Sequence, residues 1–183
     1  MDAAVREPQR GVTLVEMLVT MSIAVLLLTL GVSGVTALVK RNARATAVNT
    51  MVGHLNFARA QAVMRATNVR VCPVDAEAPS AGCAADADGT AWGEGYAVVE
   101  MDNAGATVAV LRLQEAPRTI EIDSGGRRFF EFEDDGTISM GGGSGNGSIT
   151  FCDTAADGID GARIRISLMG RVSLDDGDVD CES

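Results

Sequence analysis

The chain has 183 residues, 46% of them hydrophobic and 4% aromatic, a composition typical of one globular domain with an appendage and a largely aliphatic core. Its formal net charge is −10, and residues 40–183 contribute −9 of it through 13 basic and 22 acidic side chains. Because an acidic surface repels phosphate backbones at long range, the composition disfavours general nucleic-acid binding.

Residues 12–39 form an apolar segment in which Glu16 is the only ionisable residue. At about 1.5 Å per residue, a helix of this length spans a hydrocarbon core of about 30 Å. The segment is longer than the apolar region of a secretory signal peptide, about 7–15 residues, and no small-residue cleavage site follows it. We therefore expect residues 12–39 to be a transmembrane helix. A carboxylate at membrane depth costs on the order of a few kcal/mol, so Glu16 should have a partner.

The helix is expected to continue beyond the apolar segment. Over residues 43–64, apolar residues recur with a period near 3.6, and Val48, Leu55 and Ala62 lie on one face. No proline interrupts residues 12–72. The sequence predicts one helix over residues 12–66, apolar all round in its first half and on one face in its second. A membrane anchor followed by a separate helix, hinged at glycines 31 and 34, is the alternative.

After Thr67 the pattern changes to short β-prone runs, several of which alternate apolar and polar residues. The runs are VRVC, YAVVEM, TVAVLRL, TIEI, FFEFE, SITFC and ARIRISL. Glycine, aspartate and asparagine mark the turns between them. We expect residues 67–183 to form a β-rich domain with an antiparallel sheet that packs against the apolar face of the helix. The predicted fold class is α+β.

Four cysteines follow the apolar segment, and they permit three disulfide connectivities. We favour Cys72–Cys83, which closes a loop rich in proline, glycine and alanine, and Cys152–Cys181, which ties the acidic tail to a strand. A zinc site of four thiolates is the alternative, but no C-x-x-C pair is present and His54 is the only histidine. Since disulfides form in oxidising compartments, the favoured pairing places the chain after residue 39 outside the cytoplasm.

The sequence contains no specific catalytic or ligand-binding motif. His54 lies in the predicted helix without a recognisable Ser/His/Asp or Cys/His arrangement, so we expect a helix-surface or packing residue and no enzyme activity. The glycine-rich run 141–147 lacks the lysine of a phosphate-binding loop. Acidic turns at 86–89, 153–161 and 175–180 offer carboxylates to calcium, but none has EF-hand spacing. We predict no metal ion and no cofactor.

Residues 11–28, GVTLVEMLVTMSIAVLLL, resemble the processing signal of type IV pilins and type II secretion pseudopilins. In that family a short basic leader ends in glycine, and a prepilin peptidase cleaves after it. The resemblance implies a leader of residues 1–11, cleavage between Gly11 and Val12, and N-methylation of Val12, where most members have phenylalanine.

Glu16 is the fifth residue of the mature chain that this cleavage would produce. In a filament of stacked helices, the free amine of Val12 in one subunit would lie near Glu16 of another, and a buried carboxylate is tolerated beside such a cation. This interpretation makes Glu16 an assembly residue. A side chain that only reaches the cytoplasmic interface is the alternative.

Later segments resemble GspH/FimT-type minor pilins. They are LNFARAQAVMRATNVRVCP, WGEGYAVVEMD, ITFC and IRISLMGRV. A cysteine-bearing ectodomain looks more like FimT/FimU of type IV pili than GspH. The resemblance implies a minor pilin in pilus assembly or initiation, in the bacterial inner membrane with a periplasmic globular domain. Its implied partners are other major and minor pilins or pseudopilins, prepilin peptidase, the inner-membrane assembly platform and membrane lipid.

Three other functions stay open. A minor pseudopilin of a type II secretion system shares the fold, and a membrane-anchored periplasmic binding module would not polymerise. Some FimT-like minor pilins bind DNA during natural transformation through a basic GRxR-type motif. Here residues 170–173 contain only Arg171, and acidic residues follow. Arg163 and Arg165 are further candidate contacts, although strand alternation more simply places them on one solvated face, so nucleic acid is a disfavoured partner.

Overall fold

The computed structural model describes residues 12–74, 82–84, 91–142, 145–154, 161–175, 179 and 181. The predicted leader 1–11 and most residues of the acidic turns lie outside these ranges. The chain divides into two compact units, Met1–Val39 and Lys40–Ser183.

Helix α1, Leu14–Arg65, contributes residues to both units and lies within the predicted helix over residues 12–66. It ends at Ala66, which adopts the left-handed conformation with φ of 51°. The Thr67 N–H donates to the Ala62 carbonyl at 3.2 Å, one turn back. A left-handed residue just after the last helical turn is the usual way for a helix to satisfy its final carbonyls, although glycine is the common choice there.

In the described residues, nine strands and one short 3-10 helix, Ala91–Glu94, follow α1. The strands are β1 Val69–Pro73, β2 Gly95–Met101, β3 Thr107–Glu115, β4 Ile120–Asp123, β5 Phe129–Phe132, β6 Ile138–Gly141, β7 Gly147–Asp153, β8 Ala162–Ile166 and β9 Val172–Asp175. They form a five-stranded sheet in the order β3-β2-β1-β5-β6 and a four-stranded sheet in the order β4-β7-β8-β9. All pairs are antiparallel.

The α+β fold is confirmed, with one correction. The sequence predicts a single antiparallel sheet, whereas the structure has two, because β4 pairs with β7 instead of with β5, its neighbour along the chain. Strands β6 and β9 are not among the predicted runs. Their sequences, ISMG and VSLD, contain only two large apolar residues each and lack the aromatic or β-branched alternation that marks the equally short β4 and β5.

One face of α1 packs against residues of both sheets and forms the main core. The helix contributes Val48, Met51, Leu55, Ala58 and Ala62, which are 0–5% exposed. The sheets contribute aromatic and β-branched side chains, among them Val71, Val98, Phe130, Phe132, Ile149, Phe151 and Ile164. The unit Lys40–Ser183 is called the ectodomain below. Burial of this aliphatic and aromatic surface is the principal stabilising contribution to the ectodomain, at roughly 25 cal/mol per Å².

Arg59 connects the exposed side of α1 to two turns. Its Nε donates to the Gly136 carbonyl at 3.1 Å, and its Nη2 donates to the Met169 carbonyl at 3.0 Å. Gly136 and Gly170 have φ values of 80° and 71°, which favour glycine. A Cβ at Gly170 would collide with the Gly136 carbonyl, so this junction requires glycine for space as well as for conformation.

Leu55→Ala should lower the free energy of unfolding of the ectodomain by about 2–5 kcal/mol, since the side chain is fully buried and its removal leaves a cavity. Val63→Ala on the same helix is the control, because Val63 is 51% exposed and its truncation should change stability by about 0.5 kcal/mol or less. Chemical denaturation of both variants measures the difference. Equal losses for the two variants would contradict the assigned core face of α1.

Candidate functional site

The first turn of α1 is a helix N-cap built from the motif that the sequence singles out. Thr13 Oγ1 accepts a hydrogen bond from the Glu16 N–H at 3.3 Å, and the Thr13 carbonyl accepts one from the Met17 N–H at 3.1 Å. Threonine followed three residues later by glutamate is the capping-box sequence. Glu16 therefore occupies the third position of the helix, where a negatively charged side chain interacts favourably with the helix dipole.

Apolar side chains cover the described part of α1 before Leu27. Val12, Leu14 and nine other large hydrophobic residues up to Leu27 are 49–80% exposed. By length and hydropathy, none of the helices in the described residues qualifies as a membrane span. The Glu16 side chain makes no ion pair with a described residue. Gly11, the predicted residue before the cleavage point, lies outside the described residues, whereas Val12 is 65% exposed.

Both favoured disulfides are present, and they hold different parts of the ectodomain. Cys72 of β1 forms a disulfide with Cys83 at a Cα separation of 5.4 Å. The backbone of Cys83 also forms an isolated antiparallel β-bridge with Val74. Cys152 of β7 bonds Cys181 across 5.7 Å. The described residues contain no free cysteine.

The Cys152–Cys181 disulfide belongs to a C-terminal clasp made of Gly161, Val179 and Cys181. Val179 is 3% exposed, and its carbonyl accepts a hydrogen bond from the Gly161 N–H at 3.0 Å. A Cβ at Gly161 would lie 2.6 Å from the Cys181 Sγ. Residues 179 and 181 are therefore held beside the four-stranded sheet by a covalent bond, a buried valine and a position that requires glycine.

Arg163, Arg165 and Arg171, the three candidate DNA contacts, line one open cleft of about 590 Å³ on strands β7–β9. Asp175 pairs with two of them, at 2.8 Å from Arg165 Nη2 and 3.9 Å from Arg163 Nη1. Asp123 also lines the cleft. Three cations therefore face two carboxylates, which leaves a much weaker positive field than the arginines alone would give.

His54 belongs to an aromatic cluster in the core. Its Nδ1 lies 3.0 Å from the Tyr96 hydroxyl, and the Trp92 indole N–H donates to the Arg127 carbonyl at 3.0 Å. Burial, and secondarily the nearby Arg112 guanidinium, lower the pKa of His54. Burial raises the pKa of Tyr96. Both groups are therefore neutral at physiological pH and serve as hydrogen-bonded packing residues.

Metal coordination finds no support in the described ranges, since no group of three or more His, Cys, Asp or Glu side chains there is arranged to hold an ion. The acidic turns that offered carboxylates to calcium fall largely outside those ranges.

Two protein-family models match the sequence. The Type II transport protein GspH family matches residues 47–170, and the prokaryotic N-terminal methylation motif matches residues 7–32. The chain belongs to the GspH family. The two matched regions together contain the opening motif, the helix stripe and all nine strands except the last.

Solved structures with the same fold include a minor pilin and a minor pseudopilin. The type IV minor pilin FimU of Pseudomonas aeruginosa is 22% identical, with a TM-score of 0.54 over 74% of this chain and 90% of FimU. The minor pseudopilin EpsH from the type 2 secretion system of Vibrio cholerae is 7% identical, with a TM-score of 0.50 over 72% of this chain and 94% of EpsH. Among curated proteins, no match is found. These likenesses establish that this GspH-family protein has the pilin-like fold.

Two functional features were missed by sequence reasoning. The N-cap at Thr13 was visible as the residues TLVE, which spell a capping box directly before an apolar run. The pairing of Asp175 with Arg163 and Arg165 had no local signal in the sequence. It joins β8 to β9, and the sequence pattern did not predict β9.

The unfolding free energy of this GspH-family ectodomain should fall between about pH 6.5 and pH 5. His54 has a lowered pKa in the folded state, so the unfolded chain binds its proton first as pH falls, and protonation then favours unfolding. Ordinary carboxylates contribute mainly below about pH 5. Denaturation of the wild type and of His54→Gln at pH 7.5 and 5.5 tests this, with a smaller decrease expected for the variant. An equal decrease in both proteins would assign the pH dependence to other groups.

Replacing Cys152 and Cys181 together by serine should cost about 3–4 kcal/mol in unfolding free energy, since the bond closes a loop with a sequence separation of 29. The matched control is the double serine replacement of Cys72 and Cys83, with a separation of 11 and an expected cost of about 3 kcal/mol. Chemical denaturation compares the two. Retention of wild-type stability without the Cys152–Cys181 bond would show that the clasp contributes nothing.

Proposed function

We propose that this GspH-family protein is a minor pilin of a type IV pilus that takes part in pilus assembly or initiation. Prepilin peptidase would cleave between Gly11 and Val12, and Val12 would then be methylated. Residues 12–39 would hold the subunit in the bacterial inner membrane, with Lys40–Ser183 in the periplasm, until the assembly platform transfers it to the filament. The observation that carries this proposal is the presence, on one chain, of the N-terminal methylation motif and the GspH match.

The exposure of the first half of α1 supports this role. Large apolar side chains between residues 12 and 27 are 49–80% exposed, a surface that water does not favour. Lipid would cover it in the membrane, and the helices of neighbouring subunits would cover it in the filament. A chain that used this segment only as an anchor would have no need of an acidic residue within it.

Glu16 supplies the link between anchoring and polymerisation. Its backbone N–H completes the Thr13 cap, but its carboxylate forms no ion pair with the described residues. The free amine that cleavage would create at Val12 of a neighbouring subunit has the charge to pair with it. Because a carboxylate in an apolar environment is strongly destabilising without such a partner, the pair would favour the assembled state.

A structural role accords with the family and with the chemistry of the ectodomain. Among the described residues, the half-buried His54 is neutral and lies within hydrogen-bond distance of Tyr96, and Asp175 is ion-paired with two arginines. The partners of this protein would be other major and minor pilins, the peptidase, the assembly platform and membrane lipid.

The second candidate is a minor pseudopilin of a type II secretion system. The matching family model is itself described as a type II transport protein, and EpsH has the same fold. Both candidates require the same cleavage and the same filament chemistry, so deletion of the chain in its native host separates them. Loss of surface pili would support the pilin, and loss of protein secretion with pili intact would support the pseudopilin.

Glu16→Gln should reduce the amount of the protein in sheared filaments by about tenfold or more, while membrane insertion and abundance stay normal. Glutamine retains the capping geometry, so the variant removes only the charge that would pair with a neighbouring amine. Each tenfold loss corresponds to about 1.4 kcal/mol per interface. Quantitative immunoblotting of sheared filaments and of membranes measures both quantities.

Thr13→Val is the matched control, because it removes the cap, at a cost of about 1 kcal/mol, and leaves the carboxylate in place. It should enter filaments at close to the wild-type level. Equal losses in both variants would show that any change in the first turn of α1 impairs incorporation, whatever its charge, and wild-type incorporation of Glu16→Gln would contradict the assembly role.

A further inference from the structure

Strand β3 lies at the end of the five-stranded sheet and, within the described residues, pairs only with β2. It is nine residues long, and none of them is buried. Its backbone N–H and C=O groups that point away from β2 therefore have no strand partner there. Exposed strand edges of this length pair readily with extended segments of other chains unless something protects them.

The side chains of β3 make its edge apolar. Val108, Val110 and Leu113 are 62%, 37% and 47% exposed. Arg112 is the only cation of the strand, and its guanidinium lies 4.5 Å above the Phe57 ring of α1. That contact directs the charge toward the helix, so it does not guard the free edge in the way that an outward-pointing lysine would.

Two register shifts interrupt the pairing of β3 with β2, but the C-terminal part of the strand is regular. The shifts lie between Val98 and Val99 and between Glu100 and Met101 of β2. Residues 112–115 pair without interruption with residues 95–98. The regular part contains Leu113, and it leads directly to a groove beside α1.

This groove has a volume of about 280 Å³ and is formed by α1, the end of β3 and Tyr96. Three of its polar side chains are hydrogen-bonded: Thr46 and Thr50 donate to helix carbonyls at 2.8 Å, and the Gln114 amide donates to the Glu115 carbonyl at 2.9 Å. Glu115 is the one carboxylate among the described residues that line the groove. The surface that remains consists largely of methyl, methylene and ring atoms. It is complementary to an aliphatic side chain and offers little to a polar ligand.

We propose that β3 is the docking strand for an extended segment of a neighbouring filament subunit, which pairs with the free edge and places an aliphatic side chain in the groove beside α1. The unpaired backbone groups of the edge define the occupant as an extended backbone. A second copy of this chain is disfavoured because each copy carries a net charge of −10.

This inference rests on the proposed function, since a filament supplies the neighbouring subunit. The test uses the full chain in its native host, with a photo-crosslinking benzoylphenylalanine placed at Val108 or at Leu113. The control position is Leu174 in β9, which is 55% exposed at the end strand of the other sheet. Crosslinked peptides are identified by mass spectrometry of sheared filaments.

Strand pairing makes a specific prediction about these crosslinks. Moving the crosslinker from 108 to 113 should move the attachment point by about three to five residues along one segment of one partner, because paired strands advance together and the irregularities of β3 shorten its path. The Leu174 position should give several-fold fewer adducts. Adducts scattered over the partner, adducts to a helix, or adducts to a second copy of this chain would overturn the proposal.

A double substitution, Val110→Lys with Leu113→Lys, provides the functional readout, because edge lysines block strand addition without removing backbone hydrogen bonds. Incorporation into filaments should fall about tenfold, while Leu174→Lys should leave it unchanged. Resistance to protease in the membrane fraction verifies that each variant is folded. Wild-type incorporation of the folded double variant overturns the β3 inference alone, whereas absence of the wild-type chain from filaments overturns the proposed function and the inference with it.

Discussion

The ectodomain depends on the burial of one face of α1 against two separate sheets. Met51, Leu55, Ala58 and Ala62 are completely buried, and side chains of both sheets contact this stripe. Both sheets therefore pack on α1 in one core, and neither sheet would bury its apolar face without the helix. Arg59 adds a polar connection on the other side, through the carbonyls at Gly136 and Met169.

The same helix presents two chemically different surfaces along its length. The second half is amphipathic and satisfies its apolar face within the ectodomain, whereas apolar residues before Leu27 are exposed. Under the proposed function, this division would allow a folded ectodomain to exist both on the membrane and in a polymer, because the surfaces that change their surroundings are not those that hold the fold together. In this account Glu16 and strand β3 determine which subunits assemble, since each has polar groups that an outside partner would complete.

Much of the fold could be predicted from the sequence. A period of 3.6 without proline predicted α1 to within one or two residues, and the turn residues located seven of the nine strands. The partition into two sheets was not predictable, because the pairing of β4 with β7 depends on contacts between residues 30 positions apart. The cleavage point after Gly11 stays a prediction of the opening motif. The pairing of Arg163 and Arg165 with Asp175 could not be predicted, because it requires the register of β9.

The central claim is that the mature chain begins at Val12 and is a filament subunit. Intact-mass measurement of this protein, recovered from sheared filaments of its native host, tests that claim most directly. The account predicts a species that lacks residues 1–11, carries one additional methyl group at its N-terminus and retains two disulfides. Recovery of the protein in filaments with residues 1–11 still attached, or its complete absence from filaments, would contradict the account.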